Sequence, residues 1–189
     1  YQVSKKRVYR IFKELGIKKM PRVKAPLPMQ IQITPEFARF LGYYIAEGST
    51  TENTVGVSNQ NLGILKDCAE SVKSTLGISS RIIPGKEIHF YSKQLKLLLE
   101  KLGTGKGAHA KEVPSCLFTA TPEIIGNFLK GYYLGDGNLR IRSKGVVVTG
   151  SSKSEKLIQG IGLLLLRLGI TPTFEFNHSS EMYNVHVYG

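Results

Sequence analysis

The chain predicts an α+β fold in which one unit, read as helix, strand pair, helix, strand pair, occurs twice with antiparallel sheets. Three observations carry this expectation. The segment Leu41-Gly42-Tyr43-Tyr44-Ile45-Ala46-Glu47-Gly48-Ser49 returns 89 residues later as Lys130-Gly131-Tyr132-Tyr133-Leu134-Gly135-Asp136-Gly137-Asn138. Each copy is opened by the same cap, Thr34-Pro35-Glu36 or Thr121-Pro122-Glu123. Each is followed by an amphipathic stretch that closes on Leu-Gly-Ile, at residues 76–78 and 168–170. Only two units are present, which excludes a solenoid.

Taken in order, Ser4 to Leu15 reads as a helix, with Ser4 as N-cap, Val8, Ile11, Phe12 and Leu15 on one face, and Gly16 as its stop. The run from Val3 to Phe12 is also similar to the turn and recognition helix of a helix-turn-helix, although no preceding helix accompanies it. Pro21, Pro26 and Pro28 make residues 17–29 a linker, so residues 1–29 are expected to form a basic helical arm. Thr34 caps the first repeated helix and Thr121 the second, each with proline at the first helical position. Strands are expected at Thr54–Ser58, Arg81–Ile83 and Glu87–Tyr91 in the first unit. In the second they are expected at Leu139–Arg142, Gly145–Thr149, Thr173–Phe176 and Tyr183–Val187. Amphipathic helices fall at about Leu62–Leu76 and Ser154–Leu168. Within Leu139–Arg142, alternation puts Arg140 and Arg142 on one face and both aliphatics on the other, as in a strand with one side in the core.

Composition narrows the partner. The net charge is +12, and residues 1–24 alone carry nine basic residues against Glu14. A polyanion is implied, nucleic acid first, with a merely solvated helix as the plain alternative. Cys68 and Cys116 belong to no metal-ligand or disulfide pattern, and Cys68 falls on an apolar helix face as a buried thiol would. No run approaches the ~18 apolar residues of a membrane span, and no secretory signal opens the chain. An intracellular, cytoplasmic protein is expected. The chain begins at Tyr1 and ends at Gly189 within a strand-like run, as a fragment of something larger would.

Helices rich in glycine can pack closely, so the two copies can lie side by side with Glu47 and Asp136 emerging together. Each acid sits in a last helical turn, where the macrodipole disfavours negative charge by ~0.3–1 kcal/mol, and juxtaposition adds repulsion. A divalent cation removes both penalties, and hard carboxylate oxygens suit Mg²⁺. In-line hydrolysis of a phosphodiester uses such an ion. Two helix-terminal surface acids are the plain alternative.

These paired motifs, with Lys111-Glu112-Val113-Pro114 between them, resemble the LAGLIDADG homing endonuclease family, specifically the endonuclease domain of an archaeal-type intein. The resemblance covers about residues 30–189. It implies two pseudo-symmetric αββαββα repeats, residues 30–116 and 117–189, laying saddle-shaped sheets along double-stranded DNA as a monomer. It implies Mg²⁺, with Mn²⁺ as a substitute, held by Glu47 and Asp136 together with Ala46 and Gly135. It assigns catalytic duty to Lys111, with Lys153 and Gln60 at matching peripheral positions. The basic run and the basic strand face are the expected DNA contacts: Lys5, Lys6, Arg7, Arg10, Lys13, Arg140, Arg142 and Lys144. Glu47 replaces the commoner aspartate, and Asn177-His178-Ser179-Ser180 stands where some relatives have a further lysine. His89 is read as a groove-facing polar residue and His109 as a loop residue. Splicing chemistry is not encoded between Tyr1 and Gly189, so an intein splicing domain would lie outside them. The alternatives are a decayed or regulatory DNA-binding protein on the same scaffold and, more remotely, an RNA-binding splicing helper.

Overall fold

A computed structural model describes residues 30–105, 107–142 and 145–189, and of Arg142 the backbone only. The proposed arm, Lys5, Lys6, Arg7, Arg10 and Lys13 included, lies outside the described residues, as does Lys144. The first repeat runs α1 (Pro35–Glu47), β1 (Gly48–Thr50), β2 (Val55–Ser58), α2 (Leu62–Leu76), β3 (Arg81–Ile83), β4 (Glu87–Phe90) and α3 (Lys93–Lys101). A 3₁₀ turn at Ser115–Thr119 leads to the second: α4 (Pro122–Asp136), β5 (Gly137–Arg142), β6 (Gly145–Ser152), α5 (Glu155–Arg167), β7 (Thr173–Asn177) and β8 (Met182–Tyr188). Each repeat forms one antiparallel four-stranded sheet, in the orders β1-β2-β4-β3 and β5-β6-β8-β7. This is the two-repeat α+β architecture expected. No helix among the described residues is long and apolar enough to cross a membrane.

The caps behave as their chemistry predicts. Thr34 Oγ1 accepts from the Phe37 amide at 3.2 Å and Thr121 Oγ1 from the Ile124 amide at 3.4 Å. The two repeated helices then pack against each other through glycine. A Cβ on Gly42 would strike the Phe128 carbonyl oxygen and come within 2.6 Å of the Tyr132 nitrogen. A Cβ on Gly131 would strike the Arg39 carbonyl in return. Backbone therefore touches backbone, and the two halves share one core in which Phe37, Phe40, Leu41, Ile45, Phe128 and Tyr132 are wholly buried.

A polar clamp ties α1 to both neighbours. Arg39 donates from Nε and Nη2 to the two Asp67 oxygens at 2.6 and 2.7 Å, and from Nη1 to Asn127 Oδ1 at 2.7 Å. The Tyr43 hydroxyl adds a donor to Asp67 at 3.1 Å. The Arg39 hydrogen bonds hold the Asp67 carboxyl below its ordinary pKa against the opposing effect of burial. A depressed carboxyl stabilises the fold above the pKa of the unfolded state and ceases to do so as pH falls through the folded value. Asp67→Asn is therefore expected to cost about 2 kcal/mol at pH 7, with the gap from the parent shrinking below about pH 4. Urea titrations at pH 7 and pH 3 measure both; an equal gap at the two would remove the charge from the explanation.

Two elements depart from expectation. Helix α3 was not marked by the residue pattern, yet Ser92 caps it through the Leu95 amide and it buries Leu95 and Leu99 completely. Strand β5 does form, but its aliphatic side is not in the core: Leu139 is 63% exposed and Ile141 82%. The reason is position. β5 is an edge strand running outward from the end of α4, whereas the first hairpin has α3 beside it, with Lys96 Nζ donating to the Glu52 carbonyl at 3.5 Å. Among the described residues no helix of the second repeat plays the part of α3.

Candidate active site and nucleic-acid interface

Both repeated helices end on their acid and turn at once into a strand. Gly48 and Gly137 make that corner: each amide returns to the carbonyl four residues back, Tyr44 or Tyr133, and a Cβ at either glycine would strike that same oxygen. Because the helices are paired at Gly42 and Gly131, their ends emerge side by side. Gly135 lies against Ala46, and a Cβ there would sit 3.4 Å from Glu47 Cγ, one residue before Asp136.

The electrostatics record the convergence. Burial first and the Glu47 charge second push the Asp136 carboxyl up, Lys111 pulls it back, and the balance leaves it raised to about 7. Burial lowers the Lys111 ammonium against the raising pull of Asp136 and Glu47. Lys111 Nζ donates to the Ala46 carbonyl at 2.7 Å, while its own carbonyl accepts from Ser154 Oγ, the N-cap of α5, at 2.6 Å. One lysine from the connecting segment is thus pinned between the two repeats. Beside it opens a cavity of about 350 Å³, bordered by Tyr44, Ser49, Thr50, Thr104 and Lys111.

Glu47, Asp136, Lys111, Ala46 and Gly135 are accordingly brought together. Gln60 and Lys153 are not part of the cluster. They are exposed at the equivalent β2–α2 and β6–α5 junctions, and the charges acting on Asp136 are those of Glu47 and Lys111. Lys153 does adjoin Ser154, the residue that anchors Lys111.

The sheets supply the broader surface. Alternation and register put Asn138, Arg140, Thr149, Ser151, Glu175, Asn184 and His186 on the face of the second sheet turned from the helices, around a hollow of about 650 Å³. The same reasoning puts Ser49, Ser58, Arg81, Glu87 and His89 on the corresponding face of the first. His89 and Arg140 therefore lie on the sheet faces turned from the helices. Reading the residues along the chain did not single out Glu87, Glu175 or His186; the Glu175–His186 contact is set by register across strands, whereas Glu87 and His89 are two apart on one strand.

Two carboxylate-tipped helices packed against each other, each leading into a four-stranded antiparallel sheet, define the class as a duplicated α+β protein. A family model for the LAGLIDADG-like domain matches residues 34–103 and 123–188, and the chain belongs to that family. A DNA polymerase from Thermococcus hydrothermalis is 32% identical over 167 residues, covering 83% of this chain and 10% of the polymerase. The DNA-directed RNA polymerase subunit Rpo1C of Methanocaldococcus jannaschii is 32% identical over 151 residues, covering 76% of this chain and 17% of that protein. The chain thus spans less than a fifth of the length of these curated relatives. Among solved structures, the homing endonuclease I-DmoI in complex with DNA and Mn superposes with a TM-score of 0.61 at 14% identity, over 82% of this chain and 90% of its own. The N-terminal LAGLIDADG domain of DUF199/WhiA gives 0.59 at 11% identity, over 86% and 79%. These likenesses concern the fold.

Proposed function

We propose that this chain is the endonuclease part of an archaeal intein and hydrolyses both strands of duplex DNA at a specific site with a divalent cation. The observation that carries the reading is the meeting of Glu47 and Asp136 with Lys111 at the ends of the duplicated helices, between two polar-faced sheets. The small share that the chain spans of two archaeal polymerases supports an insertion within a host protein. That I-DmoI has been solved with DNA and Mn and with DNA and Ca supports the partner and the need for an ion.

The residues fit Mg²⁺ or Mn²⁺. Two carboxylates whose mutual repulsion Lys111 relieves only in part, without a third His, Cys, Asp or Glu grouped with them among the described residues, suit an ion that keeps waters and accepts substrate oxygens. Glu47 and Asp136 would hold it, with the Gly135 carbonyl beside them. The Ala46 carbonyl already accepts from Lys111 and has a second lone pair with which it could join them. When bound, the cation neutralises the acids and stabilises developing charge on the phosphate. Lys111 can present its ammonium to a nonbridging phosphate oxygen, and its partial burial strengthens that contact. Gln60 and Lys153 would act at the rim, and Arg140 on the DNA backbone. Arg142, Lys144 and the basic arm would extend the same contact.

Incubation with plasmid libraries and Mg²⁺ should give discrete linear products, and Lys111→Met should slow cutting roughly 10²- to 10³-fold with little change in binding. Specific, salt-sensitive duplex binding with no cleavage in Mg²⁺ or Mn²⁺ would instead favour the non-cutting DNA-binding protein.

A further inference from the structure

Strand register aligns the two repeats where residue numbering does not. One row across the first sheet reads Ser49, Gly56, His89, Arg81; the matching row of the second reads Asn138, Thr149, His186, Thr173. Each row begins two residues beyond the carboxylate. His89 and His186 therefore occupy the same position in their sheets, and each is followed two residues later by tyrosine: His-Phe-Tyr at 89–91 and His-Val-Tyr at 186–188. The His and Tyr rings are neighbours in both copies, with centroids 6.0 Å apart in the first and 6.3 Å in the second.

Each histidine lies within ion-pair distance of a glutamate; at His186 the contact is also a hydrogen bond, whereas His89 Nε2 is aimed less directly and makes none. His89 Nε2 lies 3.1 Å from Glu87 Oε1, and His186 Nε2 lies 2.9 Å from Glu175 Oε2. His186 is fixed further by Thr149 Oγ1, 2.9 Å from Nδ1. The two glutamates come from nonequivalent strands, Glu87 from β4 itself and Glu175 from β7, so the same two groups meet twice by different routes. Contact with phosphate does not account for them. On a face that must accept a polyanion, a carboxylate only repels the backbone. It is an acceptor without a proton to give, and its match in the major groove is the exocyclic amino group of cytosine.

We propose that Glu87–His89 and Glu175–His186 are paired base-reading devices, one in each half-site, that select cytosine at pseudo-symmetric positions flanking the cuts. In each, the glutamate accepts from cytosine N4 through lone pairs not used by the histidine. The histidine positions the carboxylate and screens part of its charge from the phosphates. The proposal rests on the function proposed above, since it needs duplex DNA on the sheets.

The test is selection of bound sequences from a randomised duplex pool, using the full chain carrying Asp136→Asn so that ligands stay intact. That parent should enrich cytosine at one position in each half. Glu175→Ala should relax one of the two, and Glu87→Ala the other, by roughly 5- to 100-fold in preference, leaving other positions unchanged. His186→Ala should relax the same position as Glu175→Ala, while His186→Gln, which can still donate to Glu175, should retain it. A purely structural role would not sort the variants in this way. Profiles unchanged at every position, with affinity altered uniformly across sequences, would overturn the proposal while leaving the nuclease reading intact. A parent that enriches no sequence would overturn both.

Discussion

Asp136→Asn is expected to abolish DNA cleavage and, in the same protein, to raise thermal stability at pH 8 when no divalent cation is present. The two effects share one cause. Asp136 is an acid in a place that folding does not favour: mostly buried, close to Glu47, and only partly compensated by Lys111. Its folded pKa of about 7 lies above the ordinary value of 3.8. Between those values the folded chain keeps a proton that the unfolded chain has lost. The group's penalty is therefore absent near pH 4, grows with rising pH, and is complete above pH 7. Discounting for partial exposure, the variant should be more stable than the parent by about 2 kcal/mol at pH 8, and the difference should close towards pH 4. On the function proposed, cleavage should fall by at least ~10³-fold. Melting curves at pH 8 and pH 4.5, beside a plasmid cleavage assay, read both. Undiminished cutting, or a variant less stable than the parent at pH 8, would remove Asp136 from the role given to it.

Gly131→Val should be a severely damaging substitution in the helix pair. The new Cβ would strike the Arg39 carbonyl and stand 3.1 Å from the Tyr43 nitrogen, both backbone atoms of a buried helix that cannot turn aside as a side chain could. The helices would have to separate, opening the core shared by Leu41, Phe128 and Tyr132. A loss of at least about 3 kcal/mol is expected, a large part of the 5–15 kcal/mol that holds a domain of this kind together. Gly126 in the same helix is the control: a Cβ there meets nothing within 4 Å. Gly126→Ala should therefore leave stability unchanged or raise it by up to about 1 kcal/mol. Urea midpoints distinguish the two, and similar values for both variants would refute the close-packed interface as the reason for glycine.

How much could be read from the residues alone follows from the range of each interaction. Gly42 and Gly131 were legible because backbone contact leaves no other residue type available, so the motif had to repeat visibly. The acids beyond them were legible because they sit at fixed offsets within that motif. Lys111 was reached through family likeness, since nothing local marks a lysine whose partners lie 65 residues away at Ala46 and across the midline at Asp136. Alternation correctly sorted Leu139 and Ile141 from Arg140, but it reports which side chains share a face and not whether anything covers them. The Arg39–Asp67 clamp depends on helix docking and the Glu175–His186 pair on strand register. The histidines stand 97 residues apart where the acids stand 89 apart, because the strands of the second repeat are longer, and that offset hides their equivalence from linear comparison.

The corner at Gly48 and Gly137 leaves only a single glycine between each acid and the first side chain of its sheet's outer face, Ser49 or Asn138. Scissors and ruler are therefore one rigid piece. On the function proposed, exchanging strand side chains gives the protein a new address on the genome while the offset between that address and the incision stays as the backbone sets it.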